Sequence, residues 1–173
     1  MSRAFVKEDA PSEDVFVPTR APLPPDSPNL VTPKGLALLE AELTELQTHR
    51  AALKEVEGER ERARQQAIAD GQIAELQQRL ASAEVTPPLE PDSLTVAFGS
   101  RVTVRVLNGK FAGEERTFGI VGVDEAGDDE TLVAFTAPIA RALLGCRLGD
   151  RAELTVASTE QVLEVIDLGR YDV

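Results

Sequence analysis

The apolar residues between positions 32 and 85 recur every three or four residues, a spacing that is typical of helices packed along one face. Thr32 is suited to cap a helix whose first residue is Pro33. The first apolar stripe contains Leu36, Leu39, Leu43, Leu46 and Leu53, with Arg50 in the intervening position. The second contains Ile73, Leu76, Leu80 and Ala83 and ends before Pro87 and Pro88, which stop a helix. The pattern predicts two helices within residues 31–86.

The two stripes fit each other as an antiparallel coiled-coil hairpin. In such a hairpin the residue numbers of facing pairs have a constant sum, and Leu36 with Ala83 gives the same sum as Leu46 with Ile73. The midpoint places the turn near residues 58–60, beside Gly58, and glycine is the residue that most readily ends a helix in a left-handed turn. Asp70-Gly71 is a second turn signal, but a turn there would leave arms of very unequal length. We therefore prefer the turn near Gly58.

From Leu94 onward the apolar positions alternate, which predicts strands. The predicted strands are LTVAFGSRVTVRVL, with a break at Gly99, then ERTFGIVGV, ETLVAFT, RAELTVA and QVLEVIDLGRY. APIARALLG predicts a short helix that ends at Gly145. Residues 94–173 are expected to form a small domain, giving an α+β chain with a linker at 87–93. Residues 1–30, rich in proline and acidic residues, are expected to be an extended or disordered tail.

The formal net charge of −12, from 30 acidic and 18 basic residues, disfavours nucleic-acid binding through bulk electrostatics. A basic or metal-bearing protein partner suits this charge better, and no sequence-specific contact with nucleic acid is expected. The single cysteine, Cys146, allows no disulfide framework, which favours a reducing cytoplasm. No apolar run approaches the roughly 18 residues of a membrane span, and the N-terminus has no apolar signal core.

No catalytic or metal-binding pattern stands out along the chain. His49 is the only histidine and lies in a charged helical stretch, where a surface position is expected. Cys146 has no histidine near it in sequence to activate it, so an unreactive thiol is expected. The CxxC and HxxxH spacings of metal sites are missing. VDEAGDDE, at residues 123–130, is expected to be a solvated acidic turn.

The run KEVEGERERAR, residues 54–64, places a dense mixture of charges at the predicted turn. Glu55, Glu57, Glu59 and Glu61 are its acids. On a helix such a mixture is typical of solvent exposure. A functional role for these acids requires a partner that offers a metal ion or a basic pocket at the end of a narrow channel.

Several motifs resemble those of the bacterial Gre transcript cleavage and elongation factors. They are VTPKGLALLEAEL before the hairpin, and VAFGSRVTV, IVGVDEAG and APIARALLGCRLGDRAEL after it, so the resemblance covers residues 31 to about 171. It implies an N-terminal antiparallel coiled coil and a C-terminal FKBP-like domain that docks at the rim of the RNA polymerase secondary channel. The coiled coil would enter that channel toward the catalytic Mg²⁺. We expect a monomeric accessory factor rather than an enzyme, with no cofactor of its own and at most an indirect contact with the polymerase Mg²⁺.

The predicted turn departs from the cleavage-competent members of this family. Those members carry an acidic motif of the type D-x-x-E-N-A-E/D-Y, whose Asp and Glu help to hold a second Mg²⁺ and a water. Here KEVEGERERARQQ occupies that place, with no Asn or Tyr near it. The hairpin is also shorter than usual, since about 27 residues from Thr32 to the turn reach roughly 40 Å. A Mg²⁺ ligand must lie within about 2.1 Å of the ion, so a withdrawn tip cannot coordinate it.

These observations predict a polymerase-binding elongation regulator with weak or no stimulation of transcript cleavage. Glu55, Glu57 and Glu59 are the only candidate catalytic acids. The candidate polymerase-binding residues are Asp124, Glu125, Pro138 and Ile139, of which Pro138 and Ile139 also suit a purely structural role.

Three alternatives remain open. The chain could be an active cleavage factor that uses the glutamates of the turn. It could be an adaptor that binds the polymerase without entering the channel. It could also be a peptidyl-prolyl isomerase of the FKBP type, which requires an aromatic-lined pocket. The aromatic residues available for such a pocket are Phe98, Phe111, Phe118, Phe135 and Tyr171.

Overall fold

Two helices, α1 (Pro33–Ala52) and α2 (Glu59–Ala81), dominate the N-terminal half of the computed structural model, which describes residues 17, 20–87, 89–90, 93–127, 129–156 and 159–171. The expected tail at residues 1–30 lies mostly outside the described residues. The Thr32 hydroxyl accepts a hydrogen bond from the Gly35 amide at 2.9 Å and so caps α1. A 3₁₀ helix, Leu53–Glu55, follows α1, and α2 begins directly after Gly58.

The two helices run in opposite directions and pack through the predicted apolar stripes. Close to their connection Arg50 pairs with Asp70, and at the far end Leu39 and Leu76 share one buried cluster. The half-buried stripe residues around this cluster are Leu36, Leu43, Leu46, Leu80 and Ala83. Asp70 and Gly71 lie inside α2, so the alternative turn at this position is wrong. No helix in the described part of the chain combines the length and the apolarity needed to cross a membrane.

The base of the helical pair carries a two-stranded parallel sheet that the sequence patterns did not predict. β1 (Asn29–Val31) belongs to the expected tail, and β2 (Ala83–Val85) was expected to continue the second helix. The Asn29 amide donates a hydrogen bond to Ser82 Oγ at 3.0 Å and another to a carbonyl in the last turn of α2. Val31 is buried in the cluster between the helices. The expectation of a continued helix is wrong at β2, because pairing with β1, a segment distant in sequence, rather than local propensity decides where α2 ends.

The C-terminal half forms one five-stranded sheet with two short helices. Its elements are β3 (Ser100–Val106), β4 (Glu115–Val121), α3 (Val123–Ala126), β5 (Leu132–Ala134), α4 (Pro138–Leu143), β6 (Arg151–Val156) and β7 (Thr159–Arg170). The strand order is β5-β4-β3-β7-β6, in which β4 and β5 are parallel and the other neighbours antiparallel. The predicted strand before Gly99 is reduced to a single bridge at Thr95. The α+β class is confirmed.

The alternation along β3 places one face of the sheet in the core. Val102, Val104 and Val106 are fully buried and share a cluster with Leu143 of α4 and Val165 of β7. Because β3 lies between β4 and β7, both of its edges are hydrogen-bonded. Because Leu143 belongs to the same buried cluster as these valines, the core anchors α4 against the sheet.

Candidate functional site

The connection between α1 and α2 is exposed to solvent. Glu55 ends the 3₁₀ helix, Glu57 lies in the turn and Glu59 is the first residue of α2, and all three are exposed. Gly58 has a φ of 89°, and a Cβ added there would meet no atom within 4 Å. The position of Glu59 in the first turn of α2 is electrostatically favourable. The three candidate acids are thus available to a partner.

The charges near this connection pair with one another at the surface. Glu61 Oε1 accepts a hydrogen bond from Gln65 at 2.8 Å, and Arg50 donates to Asp70 at 2.8 Å. The hydrogen bond from Arg50 lowers the pKa of Asp70 below its ordinary value. Within the described residues, no three His, Cys, Asp or Glu side chains form a group that could hold a metal ion. A metal ion held by the turn acids would need ligands from a partner as well.

α4 presents Pro138 at the surface of the C-terminal half. Pro138 lies in the first turn of α4 and is exposed, whereas Ile139 is half-buried and packs against the core. The following residue, Ala140, is fully buried. Pro138 is therefore accessible to a partner, while Ile139 also contributes to the packing of α4.

The two acids of α3 are buried. The Asp124 side chain is 6% exposed and Glu125 is 9% exposed. α3 contacts both β1 and α1, which cover these acids. The expectation of a solvated acidic turn is therefore wrong at Asp124 and Glu125, because the covering strand β1 has no local sequence signal. Direct polymerase contacts through these two carboxylates, which stay a prediction, would require their surroundings to open.

Two arginines face Asp124 at the junction, defined as Arg20, Thr32, Arg79, Asp124 and Glu125. Arg20 Nη1 lies 3.0 Å from Asp124 Oδ1, and Arg79 Nε lies 3.4 Å from Asp124 Oδ2. Arg20 also pairs with Glu42 of α1 at 2.5 Å, and its backbone amide donates to Glu75 of α2 at 2.9 Å. Burial lowers the pKa of Arg20, but the hydrogen bonds with Glu42 and Asp124 outweigh it and raise the pKa above its ordinary value. The charged Arg20 therefore links α1, α2 and α3.

Glu125 completes the junction through the cap of α1. The Thr32 hydroxyl donates a hydrogen bond to Glu125 Oε2 at 2.5 Å, and among the described residues Glu125 Oε1 has no hydrogen-bond partner. A Cβ added at Gly35 would lie 2.7 Å from Glu125 Oε2. One added at Gly122 would lie 2.7 Å from the Leu30 carbonyl oxygen. Both glycines thus permit a close approach across the junction.

The sequence patterns missed Arg20 and Arg79 as site residues. Arg79 follows the buried Leu76 by three positions, so helical periodicity places it on the packed face of α2. A charged residue on that face is almost never fully buried unless it is paired, and this signal could have indicated a partner carboxylate. No local signal marks Arg20, which lies in the proline-rich segment.

His49 and Cys146 have the surroundings expected for residues without chemistry. His49 is exposed on α1. Cys146 is half-buried, with its Sγ 3.7 Å from the Ala142 carbonyl oxygen. Burial, and then the charge of Asp150, raise the pKa of the Cys146 thiol, which keeps it protonated at neutral pH. These observations agree with a surface histidine and an unreactive thiol.

Comparison with known proteins identifies the family of this chain. Residues 91–170 match the family described as "Transcription elongation factor, GreA/GreB, C-term". Transcription elongation factor GreA of Roseiflexus sp. (strain RS-1) is 38% identical over 157 residues, which cover 83% of this chain and 98% of that protein. The chain belongs to the GreA/GreB family. The resemblance inferred from the motifs is therefore confirmed.

Two further comparisons differ in how much of the chain they cover. GreA of Hyphomonas neptunium is 37% identical over 101 residues, which cover 58% of this chain and 62% of that protein. The solved structure described as "Prokaryotic transcription elongation factor GreA/GreB from Nitrosomonas europaea" is 21% identical and covers 83% of this chain and 98% of that one. Its TM-score is 0.39, too low to support a conclusion.

Proposed function

We propose that this GreA/GreB-family chain binds RNA polymerase and regulates elongation with weak or no stimulation of transcript cleavage. Its C-terminal half, an FKBP-like domain, docks at the rim of the secondary channel, and the helical pair enters the channel as a coiled-coil hairpin. One observation carries the proposal: the end of the helical pair is an exposed turn that bears glutamates but lacks the acidic motif of cleavage factors.

The docking part of the proposal is supported by α4. Pro138 is exposed at the start of this helix, and the residues behind it are anchored in the core. A rigid, core-anchored helix end can present a surface to a partner without a large loss of conformational entropy. Pro138 is therefore the residue we assign to the polymerase contact, with Ile139 in support.

The weak-cleavage part of the proposal is supported by the helical pair. α1 has 20 residues and so extends about 30 Å. Between Leu53 and Arg64 the chain contains glutamates but no aspartate, asparagine or tyrosine. Each residue removed from an arm withdraws the turn by about 1.5 Å, whereas Mg²⁺ coordination tolerates only tenths of an ångström. Occupancy of the channel is therefore a better match to this turn than coordination of the ion.

The test is an RNA cleavage assay on stalled, backtracked elongation complexes. We expect little shortening of the RNA by this protein alone. We also expect a dose-dependent reduction of the cleavage produced by an authentic GreA-type factor, since both would occupy one channel. Vigorous RNA shortening that is lost in the Glu57→Ala/Glu59→Ala variant would show instead that the protein is an active cleavage factor.

Polymerase docking is tested separately with Pro138→Glu. A glutamate is tolerated in the first turn of a helix, so α4 should remain folded. We expect polymerase affinity to fall about tenfold, while the matched variant Phe111→Glu, in the β3–β4 connection, keeps it. A photo-crosslinker at position 57 should label the channel interior. Polymerase binding without such crosslinks would favour the adaptor hypothesis.

The isomerase hypothesis stays a prediction, which an isomerisation assay on a proline peptide would test.

A further inference from the structure

We propose that residues 20–31, called the N-terminal clamp, hold the helical pair in one orientation relative to the C-terminal half, with Arg20 as the positioning residue. The clamp itself does not depend on polymerase binding. Its consequence for the direction of the turn inside the channel does rest on the proposed function.

Arg20 makes hydrogen bonds to three separate helices. Its guanidinium contacts Glu42 of α1 and Asp124 of α3, and its backbone amide contacts Glu75 of α2. The Arg20 side chain is 19% exposed and the Asp124 side chain 6%. Charge-assisted hydrogen bonds in such partly buried surroundings are stronger and more directional than surface pairs. Arg20 therefore constrains the angle between the helical pair and α3.

The rest of the clamp also contacts both the helical pair and the C-terminal half. The Arg79 guanidinium donates a hydrogen bond to the Ala21 carbonyl, and β1 pairs with β2 at the other end of the clamp. The Leu30 carbonyl faces Gly122, directly before α3. The clamp is thus attached to the helical pair on one side and packed against the C-terminal half on the other.

The balance of charges at the junction depends on Arg20. Four carboxylates lie at or beside the junction with only two arginines, Arg20 and Arg79: those of Glu42 and Asp124, which contact the Arg20 guanidinium, that of Glu75, which accepts from the Arg20 backbone amide, and that of Glu125. Without Arg20, Arg79 would be the one arginine left in this set. Because like charges repel more strongly when they are partly buried, the carboxylates on the helical pair and on α3 would then favour separation.

The functional consequence is that a small change in the orientation of the helical pair displaces the turn by several ångströms. If the C-terminal half docks on the polymerase, the orientation of α1 decides where the turn lies. Over the length of α1, about 30 Å, a tilt of about 10° displaces the turn by about 5 Å. The clamp would therefore decide whether the turn is aimed along the channel.

The experiment measures the distance between the two halves in the full chain, free of polymerase. Spin labels are placed on Glu57→Cys in the turn and on Glu153→Cys in β6, both exposed, in a Cys146→Ser background. We expect one narrow distance distribution, which broadens in Arg20→Gln and in Asp124→Asn. The double variant should broaden the distribution by less than the sum of the two single effects, since both single variants remove the Arg20–Asp124 contact. The matched control Arg101→Gln removes an exposed ion pair with Asp167 on the sheet and should change nothing.

An unchanged distribution in Arg20→Gln, with circular dichroism like the unsubstituted protein, would overturn the clamp. If Arg20→Gln and Asp124→Asn lose folded signal, Glu42→Gln replaces them. Glu42 is 44% exposed, so this change removes one contact with little risk to folding, and a smaller broadening is expected. No broadening in Glu42→Gln would then count against the clamp.

The polymerase measurement separates this inference from the proposed function. With polymerase, Arg20→Gln should keep docking but reduce crosslinking from position 57 at least severalfold. If the distances broaden in Arg20→Gln as expected but the unsubstituted protein does not bind polymerase, the proposed function is refuted and the clamp is retained. Normal docking and crosslinking with unchanged distances would refute the clamp alone.

Discussion

Acidic residues lie at both ends of the helical pair, in the turn at one end and on the neighbouring α3 at the other, but their surroundings are opposite. At the turn, Glu55, Glu57 and Glu59 are exposed. At the junction, Asp124 and Glu125 are buried and bonded to Arg20 and Thr32. An acidic run therefore does not define a functional site by itself. The elements that cover it decide whether its charges contact solvent, a partner or other parts of the protein.

Glycines differ between the two ends in the same way. Gly58 at the turn has a positive φ and open space around it, so its conformation is what requires glycine. Gly122 at the junction has an ordinary φ of −66°, so the close Leu30 carbonyl is what requires glycine. The backbone conformation excludes other residues at Gly58, whereas the lack of space for a side chain excludes them at Gly122.

The largest expected effect is at the buried acids. Asp124→Asn removes the charge that faces two arginines, and we expect a loss of about 2–3 kcal/mol in the free energy of unfolding. Urea unfolding followed by circular dichroism measures it. The turn variant Glu57→Gln should change stability by less than about 0.5 kcal/mol. Equal effects of the two variants would break the comparison.

Next in size is overpacking at the junction. Gly122→Ala places a methyl group against a backbone carbonyl and should cost about 1–3 kcal/mol. Gly169→Ala is the matched control, because the nearest atom to its added Cβ is 3.8 Å away at the end of the Arg101 side chain. Thermal melts of both variants should show a lowered midpoint for Gly122→Ala only. A lowered midpoint in both would point to a general cost of alanine in this half.

A smaller effect is expected at the glycine of the turn. Gly58→Ala forces an alanine to a φ of 89° or makes the turn rearrange, which should cost about 1–2 kcal/mol. Because no atom crowds the site, the turn can relax and the loss should lie at the lower end. Urea unfolding and proteolysis of the turn measure the two outcomes. A loss larger than that of Gly122→Ala would reverse the ranking of the two ends.

The smallest effect concerns pH. The hydrogen bond from Arg50 lowers the pKa of Asp70, so this pair stabilises the fold at neutral pH. The contribution is lost as the pH falls below about 4 and passes through the lowered folded-state pKa. In Arg50→Gln we expect the pKa of Asp70 to rise toward its ordinary value in a carboxyl NMR titration, with little change in stability at pH 7. An unchanged pKa in that variant would assign the shift to another group.

Periodicity predicted much of this fold because long elements carry their own pattern. The stripes that contain Leu39 and Leu76 and the alternation through Val102 and Val104 reflect burial on one face, which is written into the local sequence. β1 and β2 have three residues each, too few to show a period. Their pairing depends on Asn29 meeting the end of α2, a contact between residues more than 50 positions apart, as at Ser82.

The candidate site divides in the same manner. Glu57 and Pro138 became candidates through the turn position and the family motifs, and both are exposed. The environment of Asp124 was not, because nothing near it in sequence indicates that Arg20 reaches it from 104 positions away. Charge pattern alone favours solvent for an acidic run, and only a tertiary partner can reverse that preference.

By itself, the sequence determined the two apolar stripes, the glycine at the turn, the strand-rich second half and the motifs of the GreA/GreB family. Each is a local property, set by side-chain spacing and backbone preference. Tertiary structure alone decided that β1 lies against α3, that Asp124 is buried and that Arg20 bridges three helices. These depend on which distant segments meet, since burying a charge is costly unless an opposite charge arrives to pair with it.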